Sequence, residues 1–478
     1  MKSLAKNAAF NVVYKLLNML FPLVTSIYVS RILQADGVGK VSFAQTIASY
    51  FIVFATMGLP YYGLRTVSKI RDDNQKLNTL FTELFLFGIV TTLLSTATYG
   101  VMIWCIPSMH NELPLYVATG FVICLNAINI DWLYQGKEEY VYIVCRSILI
   151  KCISLVAMLI FVKCKTDYLT YAWITSFATG GNYCLNLWHA RKYVHLDFKN
   201  VDIRRHVQPV IIMAAGGMLS SLYGKLDVTM LGILKDETSV GHYTYAFKTE
   251  ELVLSLCMAA TAVLLPRLSY LYEKEDKIQL GKVLDKGIRS LLFLVIPAVA
   301  GIELLAPKLI ILLYGEDFKN ATTILRILIL LLPIKGFGDL LGFQMMICIG
   351  EDKKRIKANA LSCLVNIILN GVLIIPLGSV GAAIASVASE LACNSYQITI
   401  VRNAVQLPFP RVAFKQAMIS TAAMSAVVLL ALQINCSLFI SCAICVFAGV
   451  VTYFAVNLFM KNDFLMSIIS KFGEERLQ

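Results

Sequence analysis

The sequence predicts an all-α polytopic membrane protein. About 14 transmembrane helices are expected, in two six-helix bundles related by a pseudo-two-fold axis along the membrane normal, with two further helices at the C-terminal end. Three observations lead there. The 478 residues are 58% hydrophobic and only 15% charged, with a mean hydropathy of +0.70, which is not the composition of a soluble domain. Apolar stretches long enough to cross the roughly 30 Å hydrocarbon layer recur along the whole chain. Finally, the pattern V-G-x-[VY]-[ST]-[FY]-A occurs twice, as Val38-Gly39-Lys40-Val41-Ser42-Phe43-Ala44 and as Val240-Gly241-His242-Tyr243-Thr244-Tyr245-Ala246. Each copy follows a helix that leaves the cytoplasm, so the repeat is parallel, and a site is expected where the two bundles meet.

Taken in order, the spans are expected near 10–33, 41–62, 80–105, 114–135, 141–162, 169–190, 209–234, 244–266, 287–306, 323–349, 358–377, 381–402, 416–435 and 438–460. The first has a basic start, but Lys15 interrupts it and no small-residue cleavage site follows, so it reads as an uncleaved span. Between 287 and 349, the segment LIILLYGEDFKNA also fits an interfacial position. Two lobes are expected at 1–208 and 209–415, with residues 416–478 forming two additional helices and a tail. Loops on one side of the membrane hold 28 Lys and Arg and those on the other hold 6, which puts both termini in the cytoplasm. The same asymmetry accounts for the net charge of +12 without any nucleic-acid partner. No connection is longer than about 20 residues, which leaves no room for an extramembrane domain and weakens enzyme readings. Most of the 13 cysteines lie in apolar segments, and the C-x-x-C of Cys442 and Cys445 has no His or acidic neighbour, so it reads as packing. His110, His189, His195, His206 and His242 are scattered, so no metal site is expected.

The stretch Pro209–Leu234 is long enough to span the membrane, yet it carries Lys225 and Asp227. A charge there costs roughly 2.5–3.5 kcal/mol, and two positions apart on a helix these residues face different ways. Either they snorkel from a helix end, or the helix lines a polar cavity. Other spans repeat the problem. Asn11, Lys15, Asn18 and Pro22 share one face of the first span, and Ser147, Lys151 and Ser154 one face of the fifth, with Arg146 beside them. Thr244, Lys248, Glu251 and Ser255 follow in the eighth, next to Glu250. Lys335 and Asp339 stand at i, i+4 in the tenth, either as a self-neutralised pair or as a titratable hinge. The eleventh carries Ser362, Asn366 and Asn370, and the twelfth Ser386, Glu390, Asn394 and Gln397. Any one stripe is explicable as helix–helix glue. Together they point to a shared aqueous cavity, net basic and suited to an anion such as a lipid phosphate.

Several segments carry a resemblance. GLPYYGLRTVSKIRDD (58–73), DWLYQGKEEYVYIVCRS (131–147), LDVTMLGIL (226–234), VGHYTYAFK (240–248) and LLPRLS (264–269) resemble the Wzx/RfbX polysaccharide flippases of the multidrug/oligosaccharidyl-lipid/polysaccharide exporter superfamily, from the first span through roughly the twelfth. The resemblance implies movement of an undecaprenyl-pyrophosphate-linked oligosaccharide, of O-antigen or capsule type, to the outer leaflet by alternating access in a bacterial inner membrane. It also implies that basic residues of the first, seventh and eighth spans line the cavity, here Lys15, Lys225 and Lys248, and it matches Arg146 to the arginine after the D-W-x-x-Q-G segment.

On this reading Lys15, Asn18, Arg146, Lys151, Lys225 and Lys248 bind substrate: Lys15, Arg146, Lys225 and Lys248 hold the pyrophosphate, while Asn and Ser side chains hold sugar hydroxyls. Asp227, Glu250, Glu251, Lys335, Asp339 and Glu390 tune the cations or carry a coupling H⁺ or Na⁺, and no other cofactor is expected. Membrane lipids are partners, as are a polymerase and glycosyltransferases of the same pathway. Two alternatives remain open. An exporter of cationic drugs would want an acidic cavity; a membrane-embedded polymerase or glycosyltransferase would want a long outer loop or an acidic catalytic loop, whereas Asp72-Asp73 is a lone pair in a basic loop.

Overall fold

The structure, a computed structural model, describes residues 4–199 and 201–474, with side chains for all of these except 4–20, 215–220, 222, 468–469 and 471–474. All regular structure among the described residues is helical. The chain divides into two compact units, Met1–Gly241 and His242–Gln478.

In the first unit the helices are α1 Leu4–Thr56, α2 Leu59–Ile70, α3 Asn74–Cys105, α4 Pro107–Asn111, α5 Leu113–Leu125, α6 Asp131–Gly136, α7 Tyr140–Phe161, α8 Tyr168–Ala190, α9 Arg204–Tyr223 and α10 Leu226–Leu234, and α11 Glu237–Met258 begins there. The expected first and second spans are the two halves of α1. In place of a loop there is a break at Gln34, whose φ of 58° turns the chain before the helix resumes. The second span ends at Thr56, earlier than expected, because Gly58 adopts a φ of 76° and Pro60 starts α2, which buries Leu59, Gly63 and Val67 on one face. A β-carbon at Gly58 would fall 2.8 Å from the backbone nitrogen of Ala214, so both its φ and its crowding demand glycine. Asp73 caps α3 by accepting from the backbone N–H of Lys76 at 3.1 Å. Its bonds with Lys76, side chain first, hold its carboxyl below the usual range.

The segment 191–203 is fastened to α3. Fully buried Glu83 accepts from the backbone N–H of Asp202 at 2.9 Å and pairs with Arg205, and His206 Nε2 lies 2.8 Å from its Oε2. Tyr62 on α2 completes the cluster, its hydroxyl 2.7 Å from His206 Nδ1.

The two copies of the repeated pattern approach each other closely. A β-carbon at Gly39 would lie 1.6 Å from the carbonyl oxygen of Glu237, and one at Gly241 would lie 2.1 Å from that of Ala35. Each partner stands four residues before the other copy's glycine, so the contact is reciprocal.

In the second unit α11 continues into α12 Leu265–Glu273, α13 Lys277–Tyr314, α14 Ala321–Leu328, α15 Leu331–Phe337, α16 Met345–Cys348, α17 Asp352–Leu377, α18 Ser379–Ala404, α19 Arg411–Ala431, α20 Leu438–Phe459 and α21 Asp463–Glu474. A π-helical turn, Gly338–Gln344, joins α15 to α16. Leu284, Leu291, Val295, Ile329, Leu332 and Leu340 form its buried core. The stripe Ser362, Asn366 and Asn370 on α17 is 0–1% exposed against α18, where Ser362 donates to the carbonyl of Ser389 at 2.9 Å, so these residues are packing within the helix pair. Cys442 and Cys445 are buried free thiols, in keeping with packing.

Seven helical segments among the described residues are long and apolar enough to cross a membrane, and apolar side chains such as Trp104 (71%) and Phe447 (72%) stand outward on them, as a hydrocarbon surround allows. The figure is below the expected total because the first two expected spans run together as one segment, Phe21–Ile70, and interruptions at 126–130, 224–225, 329–330 and 338–344 divide others.

Candidate functional site

Candidate residues group around the interrupted helices. In the first unit the fourth span does not continue through 126–130. Asn126 donates to Thr92 at 3.3 Å, Asn129 donates to Asn126 at 3.1 Å, and the backbone N–H of Asp131 donates to Asn129 at 3.3 Å. These side chains satisfy backbone and amide groups at the break. They leave Asp131 in the first turn of α6, facing α7. There Arg146 Nη1 meets Asp131 Oδ1 at 3.0 Å, and Asn186 of α8 donates to the same oxygen. Arg146 is 5% exposed, while the Asp131 side chain keeps 31% exposure. Arg146 Nε, Asn182 Oδ1 and Asn186 Oδ1 have no hydrogen-bond partner among the described residues. Beside them is a cavity of about 260 Å³ lined by Phe21, Asp131, Arg146, Lys151, Asn182 and Tyr183. Lys151 lies 5.3 Å from the ring of Phe21.

The stretch Pro209–Leu234 is not one helix. It breaks at Gly224–Lys225, and Lys225 stands at the N-terminal cap of α10 with φ −123° and ψ 0°. The angular argument for Lys225 and Asp227 on a continuous helix therefore does not apply: Lys225 sits at the break and Asp227 in the first turn of α10, both half-buried. Non-helical backbone at membrane depth is tolerated where it is buried in protein or lines a cavity. Thr229 donates to the carbonyl of Lys225 at 2.9 Å and meets the hydroxyl of Tyr50 at 2.6 Å. Neither Lys225 nor Asp227 lines the Arg146 cavity. The side chains of Lys15 and Asn18 lie outside the described residues.

In the second unit, Lys248 is half-buried on α11 with its ammonium 4.7 Å from the ring of Tyr245. Glu250 is fully buried; Lys335 approaches it to 3.9 Å and lies 5.3 Å from the ring of Phe247. Lys335 therefore approaches Glu250 rather than Asp339, which departs from the first of the two readings, the self-neutralised i, i+4 pair. The physical reason is the π turn. With i→i+5 spacing from Gly338 onward, Asp339 stacks over Gln344, which donates to it at 2.7 Å, and an i, i+4 pair with Lys335 is lost. Glu251 is exposed and Glu390 half-buried on α18. Sequence reasoning missed Asp131, Asn182, Asn186 and Phe21. The run of Asn126, Asn129 and Asp131 inside an apolar span was the available signal.

Comparison with known proteins follows the same lines. A family model described as "Polysaccharide biosynthesis protein" matches residues 4–272, and a MatE model matches 213–372. A putative O-antigen transporter of Escherichia coli (strain K12) is 26% identical over 411 residues, covering 84% of this chain and 97% of that protein. The probable low-salt glycan biosynthesis flippase Agl15 of Haloferax volcanii is 26% identical over 193 residues, 40% of each chain. Among solved structures, the lipid II flippase MurJ in an inward closed conformation superposes with a TM-score of 0.73 at 15% identity, covering 95% of this chain and 99% of that one. An inward-facing multidrug resistance MATE transporter gives 0.64 at 16% identity, covering 80% and 94%. These two likenesses establish a common all-helical membrane fold. With the family model matching more than half of its 478 residues, the chain belongs to the polysaccharide biosynthesis protein family, as its resemblance to the Wzx/RfbX type indicated.

Proposed function

We propose that this protein is a flippase for lipid-linked oligosaccharide, moving undecaprenyl-pyrophosphate-linked repeat units from the cytoplasmic to the outer leaflet of a bacterial inner membrane by alternating access. The observation that carries the reading is the match along 97% of a putative O-antigen transporter. Lys225 at a helix break and Lys248 half-buried on α11 support it, because cations maintained at membrane depth at such cost suit an anionic headgroup. Lys15 is assigned with them. The lobes 1–208 and 209–415 rock about the substrate, with 416–478 appended and both termini cytoplasmic. No bond is made or broken in the substrate, which a polymerase and glycosyltransferases of the pathway would consume and supply. The membrane potential helps expel an anion by roughly 2.3 kcal/mol per charge per 100 mV. Glu250, paired with Lys335, and Asp339 on the π turn are the groups assigned to a coupling H⁺ or Na⁺, with Asp227, Glu251 and Glu390 tuning the nearby cations.

The test is flipping of a fluorescent undecaprenyl-pyrophosphate-linked oligosaccharide in proteoliposomes. A hydrogen bond to a charged group contributes about 1.5–3 kcal/mol, so Lys225→Ala and Lys248→Ala should each slow transport about tenfold or more. Wild-type rates in both remove them from the site. The MatE match over 213–372 favours, as a second reading, a drug or cation exporter. Drug resistance conferred across a susceptibility panel without any glycan transport would select it.

A further inference from the structure

The cavity among α6, α7 and α8 does not suit the pyrophosphate to which sequence reasoning assigned Arg146. Its guanidinium is already neutralised by Asp131 at 3.0 Å, and Asp131 would repel a second anion placed there. Beside the cavity stand two buried atoms of opposite kind that lack a partner. Arg146 Nε can only donate and Asn182 Oδ1 can only accept, and neither has a hydrogen-bond partner among the described residues. One N–H of the Asn182 amide donates to the carbonyl of Ala178 at 2.8 Å, whereas its oxygen has no partner among the described residues. A phosphate oxygen accepts and cannot donate, so it would leave Asn182 unsatisfied. A hydroxyl both donates and accepts and can answer the two together.

The rest of the lining has the same character. Phe21 and Tyr183 offer rings against which the apolar face of a sugar can lie. A volume of about 260 Å³ corresponds to roughly nine waters, room for one sugar ring.

We infer that this cavity, in which unpaired Arg146 Nε and Asn182 Oδ1 stand beside the Arg146–Asp131 pair, is a sugar subsite that holds one pyranose ring of the glycan by its hydroxyls. The inference rests on the flippase reading and assigns Arg146 and Asn182 to the sugar, leaving the pyrophosphate to other cations.

The experiment uses the full chain with Thr179→Cys, a cavity-lining position. Maleimide labelling of that residue is followed by peptide mass spectrometry, which separates it from the native cysteines. The probes are glucose, galactose, mannose, N-acetylglucosamine and glucuronate, against inorganic pyrophosphate. At least one sugar should slow labelling threefold or more while pyrophosphate leaves the rate unchanged. Adding Asn182→Leu should abolish the protection, and Asn182→Asp, which keeps an acceptor, should retain it. Protection by pyrophosphate, or by none of the sugars, overturns the assignment, and the unsubstituted Asn182 protein alone decides this, so misfolding of a variant does not obscure it. Flipping by the same preparation separates the two readings. Sugar protection without any glycan transport counts against the flippase and leaves the subsite standing; transport with no sugar protection counts against the subsite alone.

Discussion

Arg146 keeps its charge inside the helices because Asp131 comes to it across the break in the fourth span. Removing one member of a buried ion pair leaves the other uncompensated, at a cost of about 3–5 kcal/mol. Asp131 retains 31% side-chain exposure, so its loss belongs at the lower end. Asp131→Ala should therefore destabilise the protein by about 3 kcal/mol, read as a fall in the thermal unfolding midpoint in detergent, whereas Arg146→Leu combined with Asp131→Leu should recover most of it. Equal stability of Asp131→Ala and wild type would mean that Arg146 is served by water instead. Lys335 illustrates the same rule from the other side: a half-buried cation takes the carboxylate within reach, here Glu250 of α11, while Asp339 on the π turn accepts from Gln344.

At the scale of helices, the consequential positions are where they stop. The breaks at 126–130 and 224–225 set Asp131 and Lys225 at helix starts, and both are preceded by residues that disfavour continuation: the Asn126 and Asn129 side chains in one case, Gly224 in the other. Close approach is the second device. At Gly39 and Gly241 the neighbour is backbone, which cannot rotate away as a side chain can. Overpacking ordinarily costs about 1–3 kcal/mol, and Gly39→Val or Gly241→Val should reach or exceed the top of that range, with lower folded yield and a lower unfolding temperature. Gly100→Ala, where a β-carbon would meet nothing within 4 Å, should be neutral or slightly stabilising. Wild-type behaviour of both valine variants would show that the two segments do not need this contact.

For the whole molecule, the loop charges make an orientation testable. Cys164 and Cys436 are exposed thiols in loops expected on the outer side, the class that holds 6 Lys and Arg against 28, and residue 72 lies in a basic turn. In spheroplasts a membrane-impermeant maleimide should label Cys164 and Cys436, while Asp72→Cys should react only after permeabilisation; the reverse pattern inverts the topology. The all-helical class, the membrane environment, the repeated V-G pattern and the family were legible in the chain alone, because hydropathy and short-range pattern are local quantities summed along it. So was the presence of charges where lipid forbids them. Which partner each charge takes was not. The Arg146–Asp131 pair, the approach of Lys335 to Glu250, and the packing of the α17 stripe against α18 all depend on the path of the backbone at its breaks and on residues distant in sequence. Composition determines that a buried charge must be compensated; only the tertiary arrangement, by placing atoms within hydrogen-bond reach, decides by what.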